Sequence, residues 1–163
     1  MTWTDAFLRQ AKSDFAVYQE FNRQGKHISN QLHYLQMATE KLAKALLCRY
    51  SNRPPKASHV ALGPFLKQSK GRVKLREALG YGNNYSSFVA YIDSLLPFAE
   101  KIQNLAPGGR RLDQPNPEYP WEKRDGHVWA PIDYTFDDIR LDATNLNKLK
   151  TLVVRLMRIA NTL

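Results

Sequence analysis

Gln36-Met37-Ala38-Thr39-Glu40-Lys41-Leu42-Ala43-Lys44-Ala45-Leu46-Leu47 is the stretch from which the fold can be read. It holds no Gly or Pro and consists mainly of residues that lose little freedom in a helix. With Ile28, Leu32 and Leu35 upstream, Leu42 and Leu46 form an apolar stripe at three- and four-residue steps, Thr39 filling the intermediate step. Tyr34, Ala38 and Ala45 widen the buried side. This spacing predicts a helix from about Ser29 to Tyr50. Small residues at 38, 43 and 45 allow a neighbouring helix to approach closely. Ser51-Asn52-Arg53-Pro54-Pro55 ends the helix, since proline disfavours α geometry before it and cannot donate.

Working outward, Phe7, Ala11, Phe15 and Tyr18 predict a preceding helix over about Thr4 to Gln24, with Thr4 as cap and Gly25-Lys26 as its end. Downstream, residues 58–80 read as one or two short helices. Ser58 is the expected cap, with His59, Val60 and Leu62 on the first piece, and Gly63-Pro64 and Gly71 as interruptions. Tyr81-Gly82-Asn83-Asn84 is a turn. Phe88, Ile92, Leu95, Ala99 and Ile102 predict a long helix over about Ser86 to Leu105, bent at Pro97. A last helix is expected from Asn145 to Ala160 on Leu146, Leu149, Val153, Leu156 and Ala160, capped by Asp137, Asp138 or Thr144.

Residues 107–136 differ in kind. They hold five of the nine prolines together with Tyr119, Trp121, Trp129, Tyr134 and Phe136. A disordered linker is poor in aromatics, so this segment is expected to be an ordered strap on the bundle, with a short hairpin around Asp125-Gly126. Trp121, Trp129, Tyr119 and Tyr134 are expected to anchor it, base stacking being the alternative. The whole predicts an all-α protein: one domain over 1–163, a four- to five-helix up-and-down bundle with a proline- and aromatic-rich strap before the last helix.

Composition excludes some classes. No window approaches the roughly 18 uncharged apolar residues of a membrane-spanning helix, so no membrane partner is expected. The opening Met1-Thr2-Trp3-Thr4-Asp5 shows no basic leader before an apolar core, and the single Cys48 cannot form an internal disulfide. A cytoplasmic location is expected. There is no H-E-x-x-H, no cysteine pair and no Walker or dinucleotide glycine motif, so no metal and no cofactor are expected.

The net charge of +9 is unevenly placed. Lys41, Lys44, Arg49, Arg53, Lys56, Lys67, Lys70, Arg72, Lys74 and Arg76 span 36 residues without one Asp or Glu. The other fourteen basic residues stand against all fifteen acidic ones. Charge of one sign gathered in this way points to a polyanion partner, provided that the side chains converge in space.

Ala11, Asp14-Phe15, the run Ala38-x-Glu40-Lys41-x-x-Lys44-Ala45-Leu46-Leu47, and Ser58-His59 after a proline loop together resemble the HEPN family. The likeness covers roughly residues 4–62, and the strap at 107–136 lies outside it. It implies a four- or five-helix bundle, often dimeric, so a homodimer is expected. It also implies a role with RNA or nucleotides, beside a nucleotidyltransferase partner or in a toxin–antitoxin or defence module. The ribonuclease branch carries Arg followed four to six residues later by His. Arg53 and His59 satisfy that spacing, although their linking residues form a loop. Arg offsets phosphate charge and His exchanges a proton, without metal.

Three readings follow. In the first, the chain binds RNA or a nucleotide, with Arg49, Arg53, Lys56 and His59 on phosphate and Lys41, Lys44, Lys70 and Arg72 extending the patch. In the second, Arg53 and His59 catalyse metal-independent RNA cleavage. In the third, the basic face docks an acidic protein partner. For His59 the structural alternative is a hydrogen bond to the backbone at a helix start. For Glu40, an ordinary surface pair with Lys44 is expected.

Overall fold

The structure is a computed structural model and describes residues 1–51, 59–106 and 114–163, with the side chains of Tyr50 and Ser51 excepted. It is mostly helical. Among the described residues are α1 (Trp3–Arg23), α2 (Ile28–Ser51), α3 (Leu62–Ser69), α4 (Val73–Ala78), α5 (Tyr85–Gln103), α6 (Asp137–Arg140) and α7 (Ala143–Ile159). A two-stranded hairpin, β1 (Trp121–Glu122) and β2 (Val128–Trp129), lies between α5 and α6.

α1 begins at Trp3, and its cap stands two residues before the expected Thr4. Thr2 caps it, accepting from the Asp5 amide at 3.1 Å, while the Asp5 carboxylate accepts from the Thr2 amide at 3.0 Å. Thr2 wins over Thr4 because only Thr2 has an acid three residues on to close the reciprocal pair. Gly25, at φ +63°, then turns the chain into α2. α1 packs chiefly along α2. Ala11, Ala38 and Ala45 are completely buried and Ala43 nearly so, as expected of small residues where helices meet closely.

α2 also meets α3, α5 and α7, so it lies at the centre of the bundle. Leu32, Leu35, Leu42 and Leu46 from its stripe join Phe65, Phe88, Phe98, Phe136 and Leu149 in one continuous core. Each such side chain contributes roughly 1.5–3 kcal/mol by leaving water.

Ser58, the expected cap, lies outside the described residues, and the segment from His59 onward differs from expectation. His59 and Val60 precede the helix, and Gly63-Pro64 does not interrupt it. Pro64 falls in the first turn of α3, where its missing amide has no helical acceptor to lose. α5 is capped by Asn84, which accepts from the Ser87 amide at 3.1 Å, and continues through Pro97.

The strap contains the expected hairpin, with Trp121 opposite Trp129 and Gly126 at φ +81° in its turn. Trp121 is buried and meets Tyr134 edge-on at 5.2 Å and Phe136 at 6.2 Å. Trp121, Trp129 and Tyr134 therefore act as anchors, whereas Tyr119 is exposed. The last helix is capped by Asp142, accepting from the Asn145 amide at 3.3 Å, rather than by Asp137, Asp138 or Thr144. Asp137 and Asp138 instead open the separate turn α6. No helix among the described residues is long and apolar enough to cross a membrane.

Candidate functional site

Three polar side chains on α2, Gln36, Thr39 and Glu40, are buried where the apolar stripe leaves a gap. Thr39 satisfies itself on the Gln36 carbonyl at 2.9 Å. Glu40 gathers the rest. Its Oε1 accepts from Lys44 Nζ at 2.6 Å, and its Oε2 accepts from Gln36 Nε2 at 3.0 Å and meets His59 Nδ1 at 3.0 Å. Burial, the largest single influence, pushes the Glu40 pKa up. The bonds from Lys44, His59 and Gln36 together outweigh it, and the net shift is downward. An ionised carboxylate only accepts, so the ring of His59 carries its proton on Nδ1 and leaves Nε2 for a ligand.

His59 is about half-exposed, and it borders a hollow of about 370 Å³ shared with Val60, Gln103, Asn104, Gln114 and Asn116. Four side-chain amides beside an oriented imidazole can hydrogen-bond sugar and base edges while the imidazole meets phosphate. His59 therefore does not serve as a backbone cap. Its partner is a carboxylate 19 residues earlier in the chain. Glu40 and Lys44 do pair, but the pair is buried, with side chains 10% and 12% exposed, and is not the expected surface contact.

The expected basic patch does not assemble from all of its members. Lys41 donates to the buried Asp14 at 2.5 Å, a carboxylate that Gln10 also bonds at 2.9 Å. Lys44 is committed to Glu40. Lys70 pairs with Asp93, and Lys67 with Glu100 at 2.8 Å. The run lacking acids in sequence is supplied with them in space by α1, α2 and α5. Lys41, Lys44 and Lys70 are thereby removed from a free phosphate-binding face. Arg49 is exposed and donates to the Asn161 carbonyl at 3.1 Å, which leaves its charge uncompensated at that contact. Arg72 donates to Gln68 Oε1 at 3.1 Å among its contacts. Arg53 and Lys56 lie outside the described residues. Cys48 is buried, and burial raises its thiol pKa, so it is not a ready nucleophile. Among the described residues no three His, Cys, Asp or Glu side chains gather as metal ligands would.

The sequence reading missed Gln36 as a member of the cluster and gave Glu40 a minor place. The available signal was Gln36-x3-Glu40-x3-Lys44, one helical row with two amphipathic ends and a carboxylate between them. Also missed was a cationic row on α7, Lys150-x3-Val154-x3-Arg158, which faces α1 across a groove. No protein-family model matches the chain, and no curated protein or solved structure matches it.

Proposed function

We propose that this chain is a HEPN-like RNA- or nucleotide-binding protein that engages phosphate where His59 meets the middle of α2. It acts as a cytoplasmic homodimer beside a nucleotidyltransferase partner or within a toxin–antitoxin or defence module. The observation that carries the reading is the Glu40–His59 hydrogen bond beside a hollow lined with amides. It fixes the ring through a proton on Nδ1, with Nε2 unbonded among the described residues, which suits a phosphate or a hydroxyl proton better than it suits a purely structural role. Arg49, Arg53, Lys56 and Arg72 supply the positive field. Lys41, Lys44 and Lys70 have no part in it, because carboxylates hold them.

The same hydrogen bond favours a second reading, a metal-independent ribonuclease. There, His59 Nε2 takes the proton of a 2′-hydroxyl whose oxygen attacks phosphorus, the 5′-oxygen leaves and takes a proton from solvent water, and Arg53 offsets the charge on the phosphoryl oxygens. Glu40 orients the ring as a positioning residue.

Labelled RNA incubated in EDTA with the protein and its His59→Ala, Arg53→Ala and Glu40→Gln variants separates the readings. Salt-sensitive binding without cleavage, weakened by Arg53→Ala and His59→Ala, supports the binder. Cleavage lost in both alanine variants supports the ribonuclease. Neither binding nor cleavage at physiological salt overturns both readings and points to docking of an acidic protein.

A further inference from the structure

α1 packs along α2 and barely touches α7, which leaves an open groove between α1 and α7. Its volume of about 520 Å³ falls within the range of small-molecule sites, roughly 300–1,000 Å³. Among the described residues it shares none with the hollow at His59. Phe15 and Val154 give it an apolar base, and Gln19 and Asn22 on α1 and Thr151 on α7 give it polar edges. Lys150, Arg155 and Arg158 bring three positive charges from α7, and among the described residues no carboxylate lines the groove.

Two features of this groove favour an anionic occupant. Lys150 and Arg158 have neither a salt bridge nor a hydrogen bond among the described residues, in contrast to Lys41, Lys44, Lys67 and Lys70. Arg155 is anchored on the Leu79 carbonyl, which fixes its position without neutralising it. The second feature is Tyr18, which is 3% exposed and lines the groove. Its hydroxyl has no hydrogen-bond partner among the described residues, yet it is not sealed from solvent. Water can reach this hydroxyl, so a ligand in the groove can take its hydrogen bond over from water. Burial lifts its pKa to about 12, so in neutral water it remains a donor.

From this arrangement we infer that the groove is an anion site for a nucleoside phosphate, with Lys150, Arg155 and Arg158 on the phosphate and Tyr18, Gln19 and Asn22 on the sugar or base. Arg and Lys supply charge-assisted bonds to phosphate oxygens. The amides of Gln19 and Asn22 both donate and accept, as sugar hydroxyls and base edges require. The nucleoside phosphate is either a free nucleotide or the 5′-phosphorylated end of a strand. The groove and the His59 site have no described residue in common, so the inference stands whether or not RNA is bound or cut at His59.

The test is calorimetric titration of the full chain with ATP, with inorganic pyrophosphate, and with short oligoribonucleotides bearing a 5′-phosphate or a 5′-hydroxyl. ATP or the 5′-phosphorylated strand binds saturably, and pyrophosphate binds more weakly than ATP. Tighter binding of ATP identifies a free nucleotide. Tighter binding of the phosphorylated strand, with none of the 5′-hydroxyl strand, identifies a strand end. Lys150→Gln and Arg158→Gln, both at accessible positions, each weaken binding about tenfold, as expected for one charge-assisted contact. Tyr18→Phe keeps the buried ring and weakens binding about threefold. Absence of saturable binding at physiological salt overturns the inference, as does affinity unchanged in Lys150→Gln and Arg158→Gln. It is also overturned if sedimentation shows these variants turning a dimer into monomers without altering nucleotide affinity, since a second copy of the chain then covers the groove.

Discussion

Replacing Lys41 by Met removes the cation that Asp14 needs and keeps most of the aliphatic stem. Asp14 has 5% of its side chain exposed and Lys41 20%, and the two lie 2.5 Å apart. At an effective dielectric of about 20, unit charges about 4 Å apart attract by about 4 kcal/mol. Desolvation of the two groups offsets most of that gain, so the intact pair contributes little net stability. Removing one partner is costly for a different reason: a buried carboxylate is left with one neutral donor, Gln10. Lys41→Met is expected to destabilise the fold by about 3 kcal/mol. Asp14→Leu costs less, about 1.5 kcal/mol, because Lys41 is nearer solvent and its flexible stem can carry the ammonium into water. The double variant remains within about 1.5 kcal/mol of the starting protein, which gives a coupling of at least about 3 kcal/mol. Guanidinium unfolding followed by circular dichroism measures each value, and heating shows Lys41→Met melting about 6–12 °C lower. A loss below about 0.5 kcal/mol, or additivity of the single changes, refutes the reasoning. The Lys41 ammonium would then lie in water and be available to phosphate.

Two further outcomes are expected. Glu40 has a pKa below its ordinary 4.5 in the folded chain, so the stability it confers is fully present above 4.5 and is lost as pH falls through the folded value. In Glu40→Gln that acid limb is shallower in urea unfolding measured from pH 7 downward, and identical limbs in the two proteins would contradict the assignment. Phe136 is buried and stands at φ +49°, a left-handed conformation that costs a non-glycine residue about 1–2 kcal/mol. Phe136→Ala costs about 3–5 kcal/mol through its cavity, and Phe136→Gly is less damaging by about 1 kcal/mol, a reversal of the usual Ala–Gly order. Chemical unfolding checks it, and Ala outperforming Gly would show that the backbone there is unstrained.

Helical periodicity is a local property, and it was enough for much of this chain. The stripes Phe7-Ala11-Phe15-Tyr18, Leu32-Leu35-Leu42-Leu46, Phe88-Ile92-Leu95-Ala99-Ile102 and Leu149-Val153-Leu156 locate α1, α2, α5 and α7 within one or two residues at most ends. The Asp125-Gly126 turn likewise announces its hairpin, because the left-handed conformation suits glycine. Caps were less legible: Thr2 and Thr4 are equivalent as residue types, and the acid at the right offset decides between them.

What the amino-acid order alone determined was which segments coil and which faces they bury, since both follow from interactions within a few residues. The tertiary structure alone decided the fate of the charges. Lys41 meets an acid 27 residues before it, Lys67 one 33 residues later and His59 one 19 residues earlier. Among the described residues Lys150 and Arg158 meet none, and they line a groove with Tyr18 of the first helix. Electrostatic attraction falls with distance through space, not along the chain, so a stretch of like charge can be neutralised by distant carboxylates while an inconspicuous row on α7 keeps its field.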